Sequence, residues 1–245
     1  MSLKFGKLEK TIDKRNLLFK NYINSSLVPA STYSNTAIIY KKLGISNPAK
    51  LFPMDGNDNY GDCVVCMCVH GQTTWNGLIG KKKIMPSASV IKAYLKLTGG
   101  QDSGLSELDT LKHWKSKAIY GEKILVFVEI NPKNHDHIKL AIELFGGIML
   151  GMQVQENAIA DFKNGVTWTP GKLTNDGHAI FGIDYDVNTL SVLTWGGIQK
   201  GTWGWNDCAI DEAYGVMSLE AKNPLFDNGK IDEQQLLKDL QLITN

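Results

Sequence analysis

No stretch of the sequence approaches the ~18 consecutive apolar residues of a membrane-spanning helix, so no such span is expected. Net charge is lacking as well. With 26 Lys and Arg against 25 Asp and Glu, no bulk field points to nucleic acid or an anionic membrane surface as a partner. The run "KKK" at Lys81 to Lys83 reads as a solvated turn. Cysteine is scarce, at 4 in 245 residues, and the opening "MSLKFGKLEKTIDKR" is charged without the apolar core of a signal peptide. A disulfide scaffold is therefore not expected, and a cytoplasmic location is. Repeats and low-complexity tracts are absent from the sequence. The length suits one large domain or a compact pair of lobes.

The scarce cysteines are crowded: three of the four lie within "GNDNYGDCVVCMCVH", Gly56 to His70. This is where a polar, turn-rich loop meets an apolar run. From Cys63 to about Ile79 the residues are mostly apolar or small and end at Gly80, which predicts a helix buried on several sides. A second helix is predicted over Leu105 to Lys117, with Leu105, Leu108, Leu111 and Trp114 as its stripe and Ser103 as N-cap. "KILVFVEI" reads as a strand. "HIKLAIELFGG" reads as a helix with Ile138, Ala141, Ile142 and Phe145 on one face, stopped at Gly146. The period then changes: "GIMLGMQV", "HAIFGIDYD", "LSVLTWGG" and "AYGVMSL" are short runs between turns, which argues for an antiparallel sheet. The tail "DEQQLLKDLQLI" is amphipathic and helical in pattern. Helices first and strands second make an α+β chain. The expected organisation is a lead-in over 1–50 wrapped on the body, a mainly helical lobe over 51–125, a mainly antiparallel β lobe over 126–219 and a helical tail over 220–245. A cleft between two such halves is a natural place for a site.

Cys63 differs from its neighbours by position. At the first turn of its helix, free N–H groups and the helix dipole favour a thiolate, the reactive form of cysteine. Cys66 and Cys68 fall inside the apolar run, where burial raises a thiol's pKa and leaves it inert. A thiolate nucleophile needs a base, usually histidine. His113, His135 and His137 belong to charged segments. His70 lies two turns along the same helix, about 10 Å away at 1.5 Å per residue. His178 opens a strand after a polar loop and is the base by elimination. The oxyanion formed on attack needs donors, and the N–H of Cys63 with the amide of Asn57 or Asn59 could supply them.

These residues resemble the papain-like cysteine peptidases. That family carries a Gln six positions before the nucleophile, a Gly-x-Cys step onto a buried helix, a His at a strand start, and an Asn-Ser-Trp-Gly segment. Here Gly61 and Asp62 precede Cys63, and Asn57 stands six positions back. "GHAIFGIDYD" is similar to the His-Ala-Val strand and "VLTWGG" to the Trp-Gly segment. The resemblance runs from about residue 50 to 217 and is nearest to the compact bacterial and bacteriophage members. It implies a papain-like α+β fold with the active-site cleft between its halves, and cleavage of a peptide or amide bond through a thioester acyl-enzyme. No cofactor or metal is implied, and the partner is a peptide or protein substrate. Cys63 is the implied nucleophile, His178 the base, Asn57 an oxyanion donor, and Trp195, Gly61 and Gly177 line the substrate. A long inhibitory pro-segment is not expected. The sequence departs from the family pattern twice. Asn57 replaces Gln and reaches one methylene less far. Leu193 falls where the family's His-orienting Asn stands, which leaves Thr194, Asp176 or Asn175 as substitutes.

Other readings compete. Cys63, Cys66, Cys68 and His70 could bind a metal, but structural zinc sites draw paired ligands from two segments, and no partner pair exists here. Cys208 reads as a small buried residue. Trp195, Trp203 and Trp205 read as core aromatics. Fold does not guarantee chemistry, so an inactive binding protein or an acyl transferase on the same scaffold stands beside the hydrolase.

Overall fold

The computed structural model describes residues 3–23, 39–44, 47–81 and 83–219, with 232, 234–236 and 238–239 near the C-terminus. Most of the tail predicted to be helical lies outside the described residues. The fold is α+β. Two short helices, α1 (Ile39–Lys42) and α2 (Pro48–Leu51), precede α3 (Cys63–Leu78), α4 (Ser87–Leu97) and α5 (Glu107–Ser116). The rest carries β1 (Ile124–Glu129), α6 (His135–Phe145), β2 (Ile148–Gln155), α7 (Ala158–Asn164), β3 (Leu173–Tyr185), β4 (Thr189–Thr194), β5 (Gly197–Thr202), α8 (Trp203–Ala209) and β6 (Ile210–Ser218). The six strands form one sheet in the order β1-β6-β2-β3-β4-β5, with antiparallel pairing throughout.

Helix α3 is buried from Cys63 through Asn76. A helix buried on all sides has no solvent face to keep and becomes the centre of a core. It lies on β3, and Gly71 is the point of closest approach. A Cβ there would come 3.0 Å from Met149 Cε and 3.2 Å from Phe181. Trp75, one turn on, stacks on Trp114 of α5 with ring centroids 5.9 Å apart and meets Phe181 edge-on. The same cluster of side chains thus ties helix to helix and helix to sheet.

Local structure differs from the sequence expectation at several points. Helix α5 starts two residues later than predicted and is capped by Ser106, which accepts from the Asp109 N–H, not by Ser103. Gly104, between the two serines, has φ +73° and turns the chain before the helix can begin. Helix α6 ends as expected, on Gly146 in the left-handed region. "LSVLTWGG" is not one strand. β4 stops at Thr194, and Trp195 (φ +46°) and Gly196 (φ +75°) make a two-residue hairpin turn closed by the Thr194–Gly197 pair. Two positive φ values are what such a turn requires if it is to match strand twist. A tryptophan held there is backbone strain of the kind found at functional sites. Cys208 is exposed, because it lies with Asp207 outside the face of α8 that buries Trp205, Asn206 and Ala209.

Candidate active site

The sheet register brings the β-side groups together. Phe181 pairs with Leu193, so one step further along the hairpin Ile180 stands opposite Thr194. His178 is then a diagonal neighbour of Thr194 on the same face. Its Nε2 lies 2.8 Å from Thr194 Oγ1. The turn that follows swings the Trp195 indole flat onto the imidazole, with centroids 4.6 Å apart and an interplanar angle of 18°. His178 Nδ1 has no hydrogen-bond partner among the described residues. Helix α3 contributes Cys63 to the small cavity that His178, Thr194, Trp195 and Asn57 also line. The backbones of Ala179 and Gly6 lie near enough to Cys63 to favour its thiolate. Asn57 is buried, and its amide donates to the Tyr60 carbonyl at 3.2 Å. His70 lines the same cavity but pairs with other groups. His70 Nε2 is 3.2 Å from the Pro53 carbonyl oxygen, and His135 pairs with Asp207 at 2.7 Å.

The expected exposed thiolate is not present. Cys63 is 1% exposed, and burial pushes its thiol up to about 12, outweighing the two backbones. What covers it is the chain's own beginning. Residues 4–8 run as a strap through the cleft. The Lys4 N–H donates to the Asn57 carbonyl and the Lys7 N–H to the Gly177 carbonyl. Leu105 donates to Gly6 O and receives Leu8 N–H on its own carbonyl, a parallel bridge centred on Lys7 and Leu105. Phe5 sits edge-on to both His178 and Trp195. The strap and its walls meet backbone to backbone. A Cβ on Gly61 would come 2.8 Å from Phe5 O, and one on Gly6, Gly104 or Gly177 would run into the opposing carbonyl. Gly61 and Gly177, singled out in the sequence as lining a substrate, are thus the residues against which the strap lies. The sequence carries no motif that announces the strap, since its hydrogen bonds to the cleft walls are made by main chain.

A cluster of charge sits beside the strap. Lys7 reaches down between β2 and β6, with Nζ 3.0 Å from Asp211 and 3.0 Å from Glu212. Glu107, at the start of α5, is buried there too. Burial opposes the charge on Lys7, but the Glu212, Glu107 and Asp211 carboxylates outweigh it and hold the ammonium above its ordinary pKa. Burial, then the Glu212 charge, hold Glu107 well above the usual carboxylate range. Among the described residues no group of three or more His, Cys, Asp and Glu is placed to hold a metal ion, and none of the helices is long and apolar enough to cross a membrane.

Burial lowers His178 to about 3, below the ordinary imidazole value. A base depressed by folding is charged first in the unfolded chain. Its stabilising contribution is whole above pH ~6.5 and lost as pH falls from there towards the folded value, about 1.4 kcal/mol per unit. Between pH 6.5 and 5 the chain should lose about 2 kcal/mol that His178→Gln does not lose, read as the difference between their urea midpoints. Asp62, which burial raises to about 7, acts in the opposite sense in both proteins and cancels in that difference. Parallel curves for the two proteins would refute the assignment.

No family model matches the sequence, and no curated protein does. The fold does have counterparts among solved structures. Xylellain, a cysteine protease from Xylella fastidiosa, superimposes with a TM-score of 0.66 at 12% identity over 88% of this chain and 96% of its own. A procathepsin B from Trypanosoma congolense gives 0.57 at 10% identity, over 87% of this chain and 86% of its own. A cysteine protease of Carica candamarcensis gives 0.50 at 12% identity, over 75% and 98%. The chain therefore has the papain-like fold, the fold implied by its sequence resemblance.

Proposed function

We propose, with the papain-like fold as premise, that this protein is a cysteine peptidase or amidase whose nucleophile is Cys63 and whose base is His178. The observation that carries this reading is the strap itself. The cleft between α3 and the sheet accepts a polypeptide in backbone hydrogen bonds, directly over a sulfur whose cavity also holds an imidazole. A groove that binds main chain through glycine walls binds peptides with little regard to side chain at those points.

With the strap displaced, water enters and the thiol's pKa falls towards its ordinary range. A hydrogen bond from Nε2–H to Thr194 Oγ1 fixes the tautomer that leaves Nδ1 as proton acceptor. Nδ1 takes the Cys63 proton, and the thiolate attacks the peptide carbonyl. The oxyanion is held by the Cys63 N–H, with the Asn57 amide turned from the Tyr60 carbonyl as second donor. The imidazolium returns its proton to the leaving amine, which departs and leaves a thioester. Water, deprotonated by His178, then attacks the thioester to release the acid and the thiol. An amine in place of that water would make the same site a transferase. Trp195 keeps solvent off the ring throughout. The burial of the thiol favours a second reading, a binding protein on this scaffold with no turnover.

The test is covalent. A peptidyl fluoromethyl ketone loses fluoride to an activated thiolate, and peptide mapping then locates the adduct. Labelling is expected at Cys63 alone and is expected to vanish in His178→Ala. Equal labelling of Cys63, Cys66 and Cys208, or none after prolonged incubation, would favour the binding protein.

A further inference from the structure

We propose that Glu107, Asp211 and Glu212, with Gly151 as floor, form a subsite for a basic side chain, lysine or arginine, of a peptide lying in the cleft. In this structure the strap's Lys7 fills it. The inference rests on the peptidase reading for its substrate class, and on three independent features of the pocket.

The first feature is an excess of acid. One ammonium faces three carboxyl groups, of which burial holds Glu107 and Glu212 above the usual carboxylate range, and the side chains of Lys7 and Glu212 are each 1% exposed. A single partner would suffice to anchor a lysine, and surplus buried carboxylates are costly to fold. The second is an unmet capacity. Neither oxygen of buried Glu107 has a hydrogen-bond partner, and Asp211 Oδ1 has none, while Tyr214 Oη donates to the outer oxygen of Glu212 at 3.0 Å. A guanidinium, with five donors in a planar fork, could satisfy oxygens that Lys7 leaves bare. The third is room. A Cβ on Gly151 would collide with Lys7 Cε and come 2.6 Å from Glu212 Cγ and 2.9 Å from Glu107 Oε1. Only glycine on β2 leaves space for a long, straight side chain.

Placement relates the pocket to the chemistry. Two residues before Lys7, the Phe5 ring lies edge-on to His178, and the Lys7 N–H bonds the carbonyl of Gly177, next to His178. The pocket therefore takes the side chain of a residue that lies beside the Cys63–His178 cavity. The basic residue it selects is a near neighbour of the bond attacked.

The experiment uses the full chain carrying Gly6→Ala, whose methyl group would meet the Gly61 carbonyl and lift the strap, together with Lys7→Ala, which vacates the pocket, with Gly6→Ala/Lys7→Gln as a second variant should the first not melt cooperatively. Internally quenched peptides that differ at one residue (arginine, lysine, norleucine or glutamate) are scanned through the positions around the scissile bond. At one position arginine and lysine are expected to exceed norleucine in kcat/KM by ~30-fold or more, expressed mainly in KM, as for a buried charge pair. Adding Glu212→Gln or Glu107→Gln should bring that ratio near unity. Equal cleavage of basic and norleucine peptides at every position, or a preference that survives both glutamines, overturns the subsite. Failure of every peptide to be cut would count against the peptidase reading instead. Protection of Cys63 from iodoacetamide in the Gly6→Ala/Lys7→Ala variant then decides the pocket. Protection by arginine peptides and not by norleucine peptides supports it, and equal or absent protection sinks it.

Discussion

Gly6→Ala is expected to raise the rate of Cys63 alkylation by iodoacetamide at pH 7 by about 100-fold, the factor for a ~3 kcal/mol loss of closure. The methyl group is small, but it would enter the Gly61 carbonyl, and that contact is backbone against backbone. No rotamer can relieve it, so the strap must lift. Lifting forfeits the four main-chain hydrogen bonds made by residues 4, 6, 7 and 8, each worth about 0.5–1.5 kcal/mol net, and the ion pairs of Lys7. The body of the fold is untouched by the substitution, so the melting cooperativity should persist. Peptide mapping after timed exposure gives the rate at each cysteine. Cys66 and Cys68, buried in α3 beneath the core, serve as internal controls. An unchanged Cys63 rate would show that something other than the strap limits access to the sulfur.

In that opened background, His178→Ala should lower kcat/KM for peptide cleavage by about 10³-fold or more, because it removes the group that takes the Cys63 proton. Thr194→Val should cost about 10 to 100-fold, and Thr194→Ser should recover most of it. The threonine does not touch the reacting atoms; it positions the ring through a single 2.8 Å contact. Its loss leaves the tautomer and the tilt of the imidazole to the Trp195 stack alone. The mark of positioning is a fall in kcat with KM little changed and a shifted acidic limb in the pH profile. Loss from valine and serine alike would mean that the methyl packing matters, not the hydroxyl. Retained activity in His178→Ala would remove the base from the mechanism.

The parts of this molecule that are written in side-chain pattern were legible in the sequence. The all-round apolar run after Asp62 gave a buried helix, the stop at Gly146 was visible as a glycine after a periodic face, and the short runs after it gave an antiparallel sheet. The proximity of Cys63 and His178 could be inferred only through resemblance, since 115 positions separate them and local periodicity carries no information at that range. Five helices, α1, α2, α4, α7 and α8, were not foreseen, and β5 follows a turn that reads as a continuous strand. The strap was invisible for a stricter reason. Its contacts are amide to carbonyl across glycines, and glycine in a sequence does not say what it lies against. The Lys7 cluster was hidden likewise, because its four residues come from three distant stretches and look like ordinary solvent-facing residues one at a time.

Because the strap belongs to the same chain as the groove, dilution does not release it. Its local concentration is fixed by the short run from Leu8 to the next anchor, where Lys10 pairs with Glu129. A tether of that length holds an effective concentration on the order of millimolar, so a free peptide of equal intrinsic affinity must reach that level to occupy the groove half the time. Cutting the backbone once, anywhere between the two anchors, would turn a unimolecular equilibrium into a bimolecular one and let the segment diffuse away.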